Sequence, residues 1–290
     1  MDIAYLASQV TLPGSPTRRP DAFEHDQMIN ALDGPLKEAG FGLEAVSWDA
    51  AGVDWARYAG VVIGTTWDYW DRRAEFLQTL ESISAVVPLF NTAELVRWNS
   101  HKGYLRELTE RGARTIPTLW VDEVTPSHVA DGFPALGSDD VVWKRQVGAG
   151  ASGQYRLSPR DDVPPMPHAM MAQPFLPTIQ TEGELSFIYI DGEFCHALLK
   201  RAAQGDYRIQ SAYGGVEEAI TPDQRDRAAA NAVLAMLDTL PLYARVDMVR
   251  NGEGDLLLME LELIEPFLYP LQGPELGPRM AAALKKRLNR

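Results

Sequence analysis

Cysteine is nearly missing: the 290 residues contain one, Cys195. That excludes an intramolecular disulfide framework and suits a reducing compartment. Long apolar runs are missing as well, and none reaches the ~18 residues of a membrane-crossing helix. The opening MDIAYLASQV has no basic segment ahead of an apolar one, so it does not read as a secretory leader. A cytoplasmic protein without a membrane partner is therefore expected. Positive charge is scarce, with 27 Lys and Arg against 40 Asp and Glu, a net charge of −13. No basic stripe is left to neutralise a phosphate backbone, which argues against nucleic acid as a partner. There is no internal repeat, and only Pro164-Pro165-Met166-Pro167 resembles a linker. The phosphate-binding order GxxxxGK[ST] is also absent.

What is plentiful is apolar surface, 46% of residues, enough for a large core divided over two or three lobes. The first 95 residues alternate strand and helix. Residues 2–8, 41–48 and 60–64 read as strands, and an amphipathic helix over 22–39 stops at Gly40. Such alternation implies a parallel, doubly wound sheet, whose ligands gather beyond the carboxyl ends of the strands. Trp67, Asp68 and Tyr69 fall at such an end and are substrate-side candidates. The competing reading is a packed aromatic corner with a helix cap at Asp68 or Asp71.

Further on, Asn99 to Lys102 opens a helix that stops at Gly112. The apolar strand Val141-Val142-Trp143 ends in Lys144, and Gly148-Ala149-Gly150-Ala151-Ser152-Gly153 follows. A Gly/Ser loop between strands offers free backbone N–H groups to phosphate oxygens. Taken alone it is equally a mobile hairpin, and Lys144 tips it toward phosphate. In Gln173-Pro174-Phe175-Leu176-Pro177 the prolines leave one strand edge unpaired. That edge suits either a purine-reading hinge or a plain strand terminus. Residues 183–191 and 194–200 form a hairpin closed by Lys200, and Arg208 sits in a long loop as an anion candidate. His196 reads as an ordinary sheet histidine.

The stretch YARVDMVRNGEGDLLLMELELIE, Tyr243 to Glu265, carries the chemistry. Two β-rich runs flank Asn251-Gly252-Glu253-Gly254, a hairpin composition. Period-two alternation puts Arg245 and Asp247 on one face of the first strand, and Glu260 and Glu262 on one face of the second. A four-residue loop pairs Arg250 with Asp255. Arg245 is then opposite Glu260, with Asp247 diagonal at about 7–8 Å. Three carboxylates with no lysine beside them call for a hard divalent cation, and Mg²⁺ with nucleotide phosphate fits best. The bland alternative is a solvated, charged sheet face.

In this order the pieces resemble the ATP-grasp superfamily, in its glutathione synthetase and RimK-like branch, over roughly residues 91–269. The resemblance implies an α/β ATP-grasp fold. Residues 1–92 would form an N-terminal doubly wound α/β lobe, and two α+β lobes at 93–172 and 173–290 would sandwich ATP. It also implies that Lys102 and Lys144 hold ATP phosphates under a cover formed by the loop from Gly148, Ala149, Gly150, Ala151 and Ser152 to Gly153. Gln173, Pro174, Phe175 and Leu176 would read adenine, and Glu184 would hold the ribose. Lys200 and Arg208 would lie near the γ-phosphate or the acceptor. Asp247, Glu260 and Glu262 would bind Mg²⁺, and Arg245 would steady the reacting oxyanion. Glu262 departs from the Asn of many relatives, an added charge that two Mg²⁺ ions would tolerate. The segments HALLKRAAQGDYRIQ and MELELIEPFLYP are similar to a subgroup that includes the cyclo-ligase closing the cycloserine ring.

The expected activity is ATP-dependent C–N bond formation on a small amino-acid-like substrate through a phosphorylated intermediate. A kinase of a small acid and a silent ATP-binding module are the alternatives. No general base is visible, and a homodimer is compatible with such an enzyme.

Overall fold

The structure is a computed structural model, and it describes residues 1–203 and 214–289. Near the N-terminus lie β1 (Asp2–Ala7), α1 (Phe23–Glu38), β2 (Gly42–Ser47), β3 (Gly60–Ile63), α2 (Arg73–Ser84) and β4 (Leu89–Phe90). The strands form a parallel sheet in the order β2-β1-β3-β4, as the strand–helix alternation predicts. On one face Met28, Leu32 and Leu36 of α1 pack with Ile3 and Tyr5. On the other, Phe76, Leu77 and Leu80 of α2 join Ala4, Leu6 and Trp48.

Two short helices follow, α3 (Ala93–Asn99) and α4 (Tyr104–Glu110). A second sheet then assembles from β5 (Leu119–Val121), β6 (Val141–Arg145), β7 (Tyr155–Leu157) and β8 (Met170–Pro174) in the order β5-β8-β6-β7. Between β5 and β6, α5 (Pro126–Leu136) covers one side with Val129 and Phe133 against Trp143. Its N-cap is Thr125, whose hydroxyl accepts from the His128 N–H, and it ends at Gly137 with φ +61°.

After α6 (Thr178–Thr181) come β9 (Glu184–Ile190), β10 (Glu193–Arg201), β11 (Val216–Ile220), α7 (Gln224–Leu234), β12 (Tyr243–Arg250), β13 (Leu256–Glu262) and α8 (Leu276–Leu288). The third sheet is antiparallel in the order β11-β10-β9-β12-β13. One face, with Leu185, Phe187, Val246, Met248 and Leu261, is sealed by α7 through Ala230 and Val233. α8 returns to the first sheet, packing Met280 and Leu284 with Met28 and Leu32 of α1. Tyr243 ties these parts together, its hydroxyl donating to the Ile63 carbonyl at 2.7 Å and the Ile264 carbonyl at 2.8 Å.

The β12–β13 register differs from the expected one. Arg250 pairs with Leu256 rather than Asp255, so the turn is one residue longer, closed by the Asn251 N–H on the Asp255 carbonyl. The ladder then slips again between Asp247 and Met248, leaving Met259 as a bulge, so Arg245 faces Glu262 and Asp247 faces Glu260. A slip of one residue would turn the acids to the apolar face, whereas two slips restore the phase.

Candidate active site

A cleft of about 290 Å³ is lined by the second and third sheets and by loop and helix residues of the N-terminal lobe. Its floor is the polar face of the third sheet: Glu184, Lys200, Arg245, Asp247, Glu260 and Glu262. The second sheet adds Lys144 and Gln173, and the loop after β6 adds Gly148 to Ser152. The N-terminal lobe contributes Arg19, Asp21, Glu24, Trp67 and Trp70.

On the floor the acids are already occupied by cations. The Arg245 guanidinium donates from Nε to both Asp247 carboxylate oxygens, at 3.1 and 3.0 Å, and also pairs with Glu262. Lys200 bridges Glu184 and Asp247, the latter at 3.4 Å, and Lys102 pairs with Glu260. The expectation that no lysine compensates these carboxylates is therefore corrected: Lys102 and Lys200 arrive from elements distant in sequence. Burial alone would raise Asp247, but Arg245 and Lys200 outweigh it and hold the carboxyl at about 2. Burial pushes Glu262 up to about 7 against the pull of Arg245. Lys200 stays charged, since Asp247 and Glu184 outweigh its burial, and burial drives Glu184 up to about 8.

Lys144 differs, because no partner of its ammonium is present among the described residues. Burial lowers its pKa against the pull of Glu260, and the like charge of Lys102 adds to the lowering. It is a cation awaiting an anion. The Lys102 N–H donates to the Gln146 carbonyl at 2.8 Å, which brings both lysines to one end of the cleft. The loop turns through Gly150 and Ala151 at φ +63° and +58°. Gly153 leaves the cleft and packs on Arg145, where a Cβ would lie 2.4 Å from Nε.

At the other end Gln173 is 2% exposed and donates to the Thr118 hydroxyl at 3.0 Å, while its Oε1 has no partner. Pro174, Phe175 and Leu176 continue this wall. A buried, open acceptor costs free energy until a donor fills it.

Of the N-terminal candidates, Trp67 lines the cleft, its Nε1 3.4 Å from the Glu265 carbonyl. Asp68 and Tyr69 do not reach the main cleft. Asp68 accepts from Trp48 Nε1 at 2.7 Å and caps no helix, and Tyr69 packs on Trp70 and Phe76. That corner is the packed aromatic alternative. Arg208 lies outside the described residues.

Sequence reasoning missed Arg19, Asp21, Glu24 and Trp70, and also Glu265, Phe267 and Tyr269 beyond β13. Arg19 pairs with Asp21 at 2.5 Å and lies 5.4 Å from the Trp67 ring centre. Burial, with the charges of Glu262 and Glu260, raises Glu265 well above the usual carboxylate range. The available signal was a cluster of charge and aromatics in an otherwise Pro/Gly-rich loop, and the acid directly after the Glu-x-Glu strand.

The family described as the N-terminal domain of D-cycloserine synthetase DcsG matches residues 3–91. Cycloserine biosynthesis protein DcsG of Streptomyces lavendulae is 30% identical over 277 residues, covering 88% of this chain and 93% of the relative. The chain belongs to the DcsG family. The crystal structure of D-cycloserine synthetase DcsG superposes with a TM-score of 0.84 at 27% identity, over 99% of this chain and 100% of that one. D-alanine–D-alanine ligase from Bacillus anthracis (TM-score 0.70, 16% identity) covers 100% of this chain and 98% of its own. The RimK-domain ATP-grasp protein of Sphaerobacter thermophilus (0.65, 15%) covers 99% and 98%. This member of the DcsG family has the ATP-grasp fold and is a ligase of that class.

Among the described residues no three of His, Cys, Asp and Glu stand close enough to hold a metal ion, because the acids turn to Arg245, Lys102 and Lys200. The donor set nevertheless fits Mg²⁺ and a nucleotide. It offers hard carboxylate oxygens on one sheet face, an unpaired Lys144 beside a backbone loop, and the open Gln173 acceptor. Among these residues no helix is long and apolar enough to cross a membrane.

Proposed function

We propose that this DcsG-family chain couples ATP cleavage to C–N bond formation on a small amino-acid-like substrate, closing a ring within one molecule, in antibiotic biosynthesis. Arg245, Asp247, Glu260 and Glu262 on one face, beneath Lys102 and Lys144, carry this reading. Three lobes, 1–92, 93–172 and 173–290, surround the cleft in this reading, and the protein works in the cytoplasm without nucleic acid or membrane partner.

ATP with Mg²⁺, when bound, supplies the phosphoryl group and neutralises charge as it transfers. Asp247, Glu260 and Glu262 are the metal ligands, and Lys102 and Lys144 hold phosphate oxygens. Gln173 to Leu176 receive the adenine, and Glu184 the ribose. Arg245 holds the substrate carboxyl in position and stabilises the oxyanion when the nitrogen attacks the acyl phosphate. The loop from Gly148 keeps out water that would hydrolyse the activated group. Trp67 faces the substrate, and Lys200 and Arg208 lie toward the γ-phosphate or acceptor.

Amino-acid-dependent ADP release, with mass spectrometry of the product, tests the reading. A cyclised or amide product is expected. A stable phosphorylated product would make the protein a kinase, and no substrate-dependent ADP release would overturn the proposal.

A further inference from the structure

Glu265 is a carboxyl group in the cleft, directly after the Glu260–Glu262 strand, that the reaction leaves without a task. Asp247, Glu260 and Glu262 pair with Arg245, Lys200 and Lys102, whereas Glu265 makes no ion pair among the described residues, and Lys102, whose charge reaches it, is already paired with Glu260. Glu265 lines the main cleft and also a smaller recess of about 30 Å³ shared with Tyr69, Asn99, Lys102 and Gln146. The segment that carries it is fixed. Tyr243 holds the Ile264 carbonyl at 2.8 Å, and Trp67 Nε1 reaches the Glu265 carbonyl from the N-terminal lobe.

The chemistry around it selects a cation. Trp67 and Trp70 line the same cleft, and indole faces attract cations. Arg19 beside Trp67 is turned to Asp21, so its charge is already compensated. A partly buried carboxyl group that shares its cleft with two indoles and makes no ion pair among the described residues is matched by a small ammonium group.

We infer that Glu265, with Trp67 and Trp70, is the subsite for the primary ammonium group of the substrate, and so selects amino acids over des-amino acids. This rests on the reading of the chain as a ring-closing ligase of amino-acid-like substrates. The ammonium anchors at Glu265 while the carboxyl reaches Arg245, so the C-terminal lobe holds both ends of one molecule and Trp67 and Trp70 of the N-terminal lobe line the same cleft. Glu265 is then a specificity residue, with no part in moving a proton.

The test uses the full-length protein loaded with ADP and Mg²⁺. Calorimetry measures binding of D-cycloserine and of isoxazolidin-3-one, the same ring without its amino group. Wild type is expected to bind the amino ring at least tenfold more tightly. Glu265→Gln should remove that preference while ADP affinity stays at the wild-type value, which also shows that the variant is folded. Equal binding of both rings by wild type, or a preference retained in Glu265→Gln, would overturn the subsite alone. If neither ring binds wild type, the ring-closing reading falls and the subsite with it.

Discussion

Asp247 stands directly across the β12–β13 ladder from Glu260, because Met259 is bulged out of it. Arg245 and Glu262 form the next facing pair on the same side. All four side chains belong to one strand pair, so no lobe movement is needed to assemble them. On the proposed reading this charge serves a transferring phosphoryl group, and removing one such preorganised group costs roughly 10²–10³ in kcat. Asp247→Asn and Glu260→Gln should therefore each lower turnover by roughly 10²–10³ in an ADP-release assay. Near-normal activity in either would remove the metal assignment.

Lys144 gives a sharper prediction because it is unpaired. A charge-assisted hydrogen bond contributes about 1.5–3 kcal/mol, so Lys144→Ala should weaken ATP binding about 10–100-fold. Without nucleotide the same change should not destabilise the fold, since it removes an ammonium whose burial outweighs the pull of Glu260 and Glu184 and which makes no ion pair among the described residues. Calorimetric ATP affinity and apo melting temperature, measured together, separate the two effects. An unchanged affinity would take Lys144 out of the phosphate site.

Much of this was legible in the sequence because it depends on local periodicity. The parallel alternation of the first lobe and the shared face of Arg245, Asp247, Glu260 and Glu262 follow from spacing of two or of three to four, and the Gly148–Gly153 loop follows from its Gly/Ser composition. The register did not follow. The bulge at Met259 carries no Gly or Pro to mark it, and the turn takes in Asp255 through its own carbonyl. Tertiary pairs were equally hidden. Lys102 meets Glu260 across 158 residues, and nothing local to either announces it. Trp67, Asp68 and Tyr69 looked alike in sequence, yet the polypeptide turns after Thr66 and sends only Trp67 into the cleft.

Lys200 is the shared counter-charge of Glu184 and Asp247, with all three side chains 5% exposed or less. Breaking a buried ion pair from one side costs about 3–5 kcal/mol, because the remaining charge is stranded. Lys200→Met should lower stability by that order in urea unfolding. Wild-type stability in Lys200→Met would show that the pairing with Asp247 contributes nothing.

Gly277 sets the approach of α8 to α1. A Cβ there would lie 2.1 Å from the Ala31 carbonyl oxygen, a backbone atom that cannot rotate away. Gly277→Ala should destabilise the protein by about 1–3 kcal/mol, as overpacking does. The cleft lies elsewhere, so ATP affinity at low temperature should be unchanged. A variant as stable as wild type would mean that the helices part without cost.

His196 makes stability depend on pH. Burial lowers its pKa to about 4, although the Leu268 and Tyr269 backbone nearby favours the charged ring, and Arg279 opposes it. Neither ring nitrogen has a hydrogen-bond partner, and Gly273 lies flat against the ring. The unfolded chain takes up a proton below its ordinary value of about 6.5, whereas the folded one waits until about 4. Between those values the unfolded state binds more protons, so this residue's contribution falls as pH falls, and above about 6.5 it is constant. The full difference is on the order of 3 kcal/mol at about 1.4 kcal/mol per unit. Urea unfolding of wild type and His196→Gln from pH 7.5 to 4.5 should give curves that converge on acidification, since the variant lacks this loss. Parallel curves would mean that His196 is protonated as readily folded as unfolded.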